Sequence, residues 1–492
     1  MTDLPLGWET ARLEEIAEVR LGRQRSPKHH TGANMRPYMR AANVDWRGLK
    51  LDDVKEMNFT EEELEIYRLQ PGDLILSEAS GSAGEVGKPA LWNGEIENCC
   101  FQNTLLRVRT SGVDSKYLLH FFRYEALRGA FGEGARGVGI HHLGAAKLAK
   151  WLVPIPPLPE QRRIITNLER HLSHLELVDR AVESSTRKVK QLKKRILIEA
   201  VPIPGPSSWK MAKVDEVGKV DLGRQRHPDW HSGPNMRPYL RVANVFEDRI
   251  DTSNLMEMDF PPDIFDRFRL SEGDILLNEG QSPEYLGRPA MYRGEPKEVA
   301  FTNSLLRFRA GPEVDPEWAL LVFRRHLHAG RFMQETRITT NIAHLSASRF
   351  KSVEFPVPPL EKQREIAKQV ARKLADVDLL ASQIRRVEEH AGALRTRLLA
   401  DAFSGRLVHQ NPIEEPAAEL LKRIQAQREA LRAKRPRHTA RASRAGSGDL
   451  AQMGAGGGGF TGTESSSVPS TTVGAGHTGK QEALFQQEGL TA

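Results

Sequence analysis

The 492-residue chain has only two cysteines, and they are adjacent, Cys99 and Cys100. Neighbouring cysteines rarely bridge each other, and neither recurs at a metal-ligand spacing. A disulfide scaffold and a zinc site are therefore not expected, and two small buried thiols in a reducing compartment are. No apolar run approaches the roughly 20 residues of a membrane span. The opening Met1-Thr2-Asp3-Leu4-Pro5 lacks the basic and apolar blocks of a signal peptide. A soluble, intracellular protein is expected, with no membrane partner.

Catalytic motifs are equally scarce. Gly132-Glu133-Gly134-Ala135-Arg136-Gly137 matches GxGxxG, but it follows a helix-like stretch, and the second half of the chain has Gly330-Arg331-Phe332-Met333 there. A dinucleotide fingerprint needs a strand before it and a helix after it. Gly84 to Lys88 has the wrong glycine spacing for a phosphate loop, and Pro89 stands where a Mg²⁺-binding hydroxyl belongs. His141-His142 and His344 have no carboxylate spacing that supports metal ligation. Asp73 with Glu78, and Asp274 with Glu279, faintly resemble a nuclease constellation, but no lysine follows usefully and the acids sit beside turns. The Asn/Asp-Pro-Pro-Tyr/Phe box of an adenine methyltransferase is missing too. No catalytic residue, metal site or cofactor bound by this chain is expected.

What the chain does have is a long internal repeat. Leu21-Gly22-Arg23-Gln24-Arg25 returns as Leu222-Gly223-Arg224-Gln225-Arg226, and Asn34-Met35-Arg36-Pro37-Tyr38 as Asn235-Met236-Arg237-Pro238-Tyr239. Phe101-Gln102-Asn103-Thr104-Leu105-Leu106-Arg107 matches Phe301-Thr302-Asn303-Ser304-Leu305-Leu306-Arg307, and Pro154 to Leu158 matches Pro356 to Leu360. An offset of about 200 residues is a duplicated domain, since solenoid units run roughly 20–50 residues. Each copy opens with about 150 residues of short strand-like runs and turn signals, such as Leu74-Ile75-Leu76 after Pro71-Gly72-Asp73, with helical spacing from Tyr117 to Leu127 and from Trp318 to Leu327. That mixture predicts an α+β globule.

The second part of each copy predicts a long helix. A heptad stagger places Ile164, Leu168, Leu175, Val178, Val182, Val189, Leu192 and Ile196 on one seam. Shifted by 202, it places Ile366, Val370, Val377, Leu380, Ile384, Val387, Leu394 and Leu398 on another. The first helix ends where the second globule begins, and the second helix begins where that globule ends. Paired along their seams, the two must run antiparallel, with the globules related by an approximate two-fold axis. The predicted segments are globules over 1–155 and 204–357, helices over 156–203 and 358–405, and an amphipathic partner-binding segment over 406–434. A Gly/Ser-rich tail over 435–492 reads as disordered.

The formal charge is +7, from 71 basic against 64 acidic residues, a modest lean towards an anionic partner. Two similar heads on a stiff rod suit double-stranded DNA, which has its own dyad and repeat. The candidate contacts come in repeated sets: Arg23, Gln24, Arg25, Asn34, Arg36, Arg40 and Asn43, then Arg224, Gln225, Arg226, Asn235, Arg237, Arg241 and Asn244. Arginine forks fit phosphates or guanine, and Asn or Gln pairs with adenine. The competing account is that these are surface arginines, or buried ones paired with nearby acids. Loops that differ between copies add Ser77, Ser80 and Ser82 in the first head, and Asn278 and Gln281 in the second; they either read bases or have simply drifted.

Over roughly residues 5 to 430 the chain resembles the specificity subunits of type I restriction-modification systems. The carriers are Leu4-Pro5-Leu6-Gly7-Trp8, the Pro-Pro-Leu-x-x-Gln passages at Pro156 to Gln161 and Pro358 to Gln363, the helix after each, and Phe403-Ser404-Gly405-Arg406-Leu407. The resemblance implies a prokaryotic cytoplasmic protein with two target recognition domains, each reading half of a split site. It implies helices that set the unread spacer and dock two methyltransferase subunits. S-adenosylmethionine would sit in those partners, and ATP and Mg²⁺ would serve a restriction/translocase subunit. The alternative is a two-headed protein-binding scaffold without DNA specificity.

Overall fold

The computed structural model describes residues 4–132, 141–334 and 343–434. The GxGxxG match beyond Gly132 and the tail 435–492 lie outside the described residues.

Each head is built on a four-stranded antiparallel sheet. In the first head the order is Ala17–Leu21, Leu105–Thr110, Leu74–Ser77, Pro89–Leu91, and in the second Gly218–Leu222, Leu305–Ala310, Ile275–Asn278, Pro289–Met291. A three-stranded sheet packs beside it, with Met35–Met39 central between Lys55–Asn58 and Cys100–Phe101; Met236–Leu240 is central in the second head. The alternation in Leu105–Thr110 reads out on two buried faces. Leu106 and Val108 join the large core, while Leu105 joins the smaller one between the sheets. Arg107 lies under that second face, bonded to the carbonyls of Ile66 (3.1 Å) and Arg68 (3.2 Å), with its guanidinium 5.4 Å from the Phe101 ring. Arg307 repeats the arrangement on Arg269 and Asp221.

The rod helices are Leu158–Ala200 and Leu360–Phe403. Proline precedes each first turn, where a missing N–H costs nothing. The first ends against Pro202, and the second at Gly405, whose φ of +74° suits a residue without Cβ. Pairing is antiparallel. Asp179 bonds Arg395 at 2.7 Å, while fourteen residues further along the first helix Lys193 meets Asp378 at 3.7 Å, seventeen residues back along the second. Ala391, Leu399 and Phe403, near the end of the second helix, join the core of the first head, where the first helix starts. Leu197 joins the core of the second.

Burial along the predicted seam is uneven. Ile164, Leu168, Leu175, Val182, Val370 and Val377 are buried, and Val178, Val189, Ile196, Ile366, Ile384 and Leu398 are half-buried. Leu192, Leu380, Val387 and Leu394 are exposed, between 41% and 49%, while Leu172, Leu374 and Leu399, off the assigned seam, are buried. The cause is the head itself. Over its first half each helix is covered by its own globule as well as by the other helix, so burial follows Ile164, Leu168, Leu172, Leu175. That is the 3.6-residue period of a packed helix, not the 3.5 of a two-stranded coiled coil.

The glutamine of each Pro-Pro-Leu-x-x-Gln passage clamps rod to head. Gln161 donates to the Pro156 carbonyl (3.0 Å) and accepts from the Asp114 amide (3.3 Å). Gln363 donates to Pro358 (2.8 Å) and Glu313 (2.9 Å) and accepts from Asp315 (2.9 Å). Asp114 and Asp315 in turn cap the head helices Ser115–Leu127 and Pro316–His328.

The helix Ala417–Lys434, expected to offer an apolar face to a partner, packs the first part of that face within the chain, while Leu431 is exposed. Ala417, Leu420 and Ile424 are buried in the first head's core, and the Ala417 amide donates to the Gly7 carbonyl at 2.9 Å.

Candidate nucleic-acid interface

Strands Ala17–Leu21 and Leu74–Ser77 end, and Leu105–Thr110 begins, at one end of the first head's sheet. The opposite end, by Asp114, is the one clamped to the rod. At the free end three separate stretches converge on one turn. The Asn103 amide donates to the Arg23 carbonyl (3.0 Å), the Glu78 amide to the Thr104 carbonyl (2.9 Å), and the Ala41 amide to the Thr104 hydroxyl (3.0 Å). The second head repeats this. Asn303 donates to Arg224 (2.9 Å), Glu279 to the Ser304 carbonyl (3.0 Å), and Val242 to the Ser304 hydroxyl (3.3 Å). Residues 23–25, 40–43 and 77–82, and their counterparts, thus form one edge on each head.

Six of the expected contact residues are not on the surface of that edge. The Arg23 side chain is only 8% exposed; it binds Glu63 at 2.8 Å and the Asn58 carbonyl at 2.7 Å. Arg224 is sandwiched by Trp230 at 4.0 Å and Phe260 at 4.7 Å, and donates to the Asp259 carbonyl. Asn43 closes its own loop, donating to the carbonyls of Lys50 (2.9 Å) and Asp53 (3.0 Å) and accepting from the Arg40 amide (3.1 Å). Asn244 does the same with Asp251, Asn254 and Arg241. Ser77 and Asn278 are buried strand ends. These groups build the edge and do not face out of it; for Arg23, ion-paired with Glu63, that is the competing account given above.

The others remain accessible. Gln24, Arg25, Gln225 and Arg226 are exposed, and Asn34, Arg36, Arg40, Ser80, Asn235, Arg237, Arg241 and Gln281 are half-exposed. Ser82 is exposed as well. Arg25 donates to His30 (3.1 Å), Arg36 pairs with Glu61 (3.3 Å), Arg40 with Asp53 (2.5 Å), and Arg237 with Glu298 (3.3 Å). Such exposed pairs are worth little and are readily exchanged for a phosphate or a base.

Sequence reasoning treated Gln102 to Thr104 as a repeat marker and missed them as the hub of the edge. The signal was present: polar Asn103 and Asn303 recur immediately before strands that are otherwise apolar and basic. It also missed a short ribbon, His141–His142 against Ala79–Ser80, repeated as Ala343–His344 against Gly280–Gln281.

The suspected catalytic groups have structural partners. Asp73 takes a two-pronged bond from Arg109, both at 2.7 Å, and Asp274 one from Arg309, also at 2.7 Å. Burial pushes the thiols of Cys99 and Cys100 up to about 12, far from a reactive thiolate. Among the described residues no cluster of three or more His, Cys, Asp or Glu side chains is placed to hold a metal, and no helix is long and apolar enough to cross a membrane.

The family model of the type I restriction modification DNA specificity domain matches residues 5–181 and again residues 206–389. The chain belongs to that family. Each match takes in one head and the head-proximal part of its rod helix, so the family's unit is the repeat found in the sequence. The chain is 23% identical over 452 residues to the type I restriction enzyme EcoKI specificity subunit of Escherichia coli K12, covering 87% of this chain and 97% of that protein. It is 23% identical over 451 residues to the StySPI specificity subunit of Salmonella potsdam, covering 86% and 96%. In fold it is similar to a chain from a structure of complex assembly and conformational transition in the type I R-M system. That similarity has a TM-score of 0.65 at 19% identity, over 83% of this chain and all of the other.

Proposed function

We propose that this chain is the DNA specificity subunit of a type I restriction-modification complex, and that each head reads one half of a bipartite site through its free edge. The observation that carries this is the antiparallel rod, marked by Asp179–Arg395 and Lys193–Asp378, which holds two equivalent polar edges in quasi-dyad relation. The chain supplies recognition and no catalytic group of its own. Chemistry comes from partners: two methyltransferase subunits docked on the rod, which hold S-adenosylmethionine, and restriction/translocase subunits using ATP and Mg²⁺. The rod sets the number of unread base pairs between the halves. Its helices run about 65 Å at 1.5 Å per residue. A prokaryotic cytoplasm is the matching location.

The test is long-read methylation mapping of the host with and without this gene. A bipartite motif that disappears with the gene, its halves related and inverted, is the expected result. Absence of any motif dependent on the gene, or two wholly dissimilar halves, overturns the reading. A two-headed protein scaffold would leave the methylome unchanged, and its binding to duplex DNA would show no steep dependence on salt.

A further inference from the structure

Two features that matched no catalytic motif are halves of one arrangement. Glu78 and Glu279 are the carboxylates held by His142 and His344, Nδ1 to Oε2, at 3.1 Å and 3.2 Å. Each pair sits on the two-stranded ribbon at the free edge of its head. The backbone of the glutamate is pinned from both sides. Glu78 donates to Thr104 (2.9 Å) and accepts from Leu143 (2.8 Å); Glu279 donates to Ser304 (3.0 Å) and accepts from Leu345 (2.7 Å). The carboxylates are 16% and 23% exposed.

A carboxylate is out of place on a surface that meets phosphates, because it repels them. Yet it stands at the same position in both heads, while the residues after it change from Ala79-Ser80-Gly81-Ser82 to Gly280-Gln281-Ser282-Pro283. An ionised carboxylate can only accept hydrogen bonds. In the major groove, which is wide enough for a two-stranded ribbon, the donors are the exocyclic amino groups of cytosine and adenine.

We propose that Glu78 and Glu279 each accept a hydrogen bond from the exocyclic amino group of a base in their own half-site. His142 and His344 act as positioning residues that hold the carboxylate in place. This rests on the half-site reading above. It follows that both half-sites carry the same amino-bearing base at dyad-related positions, whatever their other bases.

Glu78→Gln and Glu279→Gln test this in the chain assembled with its methyltransferase partners, read by the methylation motif. Each substitution is expected to relax discrimination at a single position of one half-site by about tenfold or more. The base lost is the same in both halves, and its identity separates cytosine from adenine. His142→Ala is expected to relax the same position as Glu78→Gln and no other. An unchanged motif, or relaxation towards different base classes in the two halves, overturns the proposal. Should Glu78→Gln abolish methylation, binding of the purified complex to duplexes altered one position at a time decides. A loss equal at every position makes the pair structural and overturns the proposal; a loss confined to one position supports it. An unmodified chain that yields no motif defeats the half-site reading itself.

Discussion

The two heads share a fold but secure it differently, above all where each meets the rod. In the second head Arg324 is met by two acids of its own hairpin, Glu247 at 2.9 Å and Asp248 at 2.8 Å. In the first head the corresponding residues are Trp46 and Arg47. Arg47 reaches across to Glu183 on the rod, and half-buried Arg123, the counterpart of Arg324, has no hydrogen-bond partner for its Nε among the described residues. At this hairpin the second head is tied to itself and the first to the rod. Duplication preserves the sheet, whose apolar residues must keep fitting one another, while charges at the junction are free to be rearranged.

The sharpest way to break the comparison is Arg324→Ala against Arg123→Ala. Burial opposes the Glu247 carboxylate, yet the His328 hydrogen bond and the Arg324 charge outweigh it and hold it at about 2. Removing Arg324 takes one cation from two partly exposed acids, leaving Glu247 with His328 and Asp248 with Arg293, and losing both charge-assisted hydrogen bonds is expected to cost about 3–5 kcal/mol. Arg123→Ala removes a half-buried cation that forms no ion pair among the described residues, and is expected to cost under about 1 kcal/mol. Chemical denaturation of both variants checks the pair; equal costs would refute the asymmetry.

Phe403→Ala comes next. Its ring lies 5.4–5.7 Å from those of Phe121, Tyr117 and Tyr124 of the first head, so truncation is expected to cost about 3–4 kcal/mol. Val201→Ala, at the equivalent helix end beside the second head, is expected to cost about half as much. Hydrogen exchange would locate each loss in its own head.

Arg36→Ala and Arg237→Ala leave the fold intact, since both sit in exposed pairs. Each is expected to weaken its own half-site by about 1–3 kcal/mol, measured with duplexes varied one half at a time. The smallest effect is a pH dependence. Burial, aided by the charges of Arg123 and Lys116, pushes His120 down to about 3, whereas the second head has Leu321 there. The folded value lies below the unfolded one of about 6.5, so stability is full above pH 6.5 and falls as pH drops towards 3. By pH 5.5 the loss is about 1.4 kcal/mol. His120→Leu is expected to abolish that slope in thermal unfolding.

Much of this architecture is legible in the residues. The 200-residue offset, the apolar spacing and the order of segments suffice for two heads on an antiparallel rod, because these depend on periodicity and chain connectivity. The burial pattern along the rod is not, because whether Leu172 or Leu192 is covered depends on which stretches of helix a globule folds back over. Nor is the fate of Arg23, whose carboxylate partner Glu63 is forty residues away, or of Arg224, enclosed by Trp230 and Phe260. An amphipathic helix such as Ala417–Lys434 announces that something covers it, but not that the cover is the first head. The arginines of the edge stand out in the sequence, whereas the turn at Asn103–Thr104 that gathers them shows only as one recurring asparagine ahead of a strand.

The glutamine clamps carry a mechanical consequence. Gln161 and Gln363 tie each head to one face of a helix that turns about 100° per residue, so the bar cannot be lengthened without also swivelling what it carries. Adding one or two residues would point a head away from the duplex, whereas a whole number of turns would restore its aim a step further out. Span along the DNA would therefore change in jumps, like a screw thread with few usable stops.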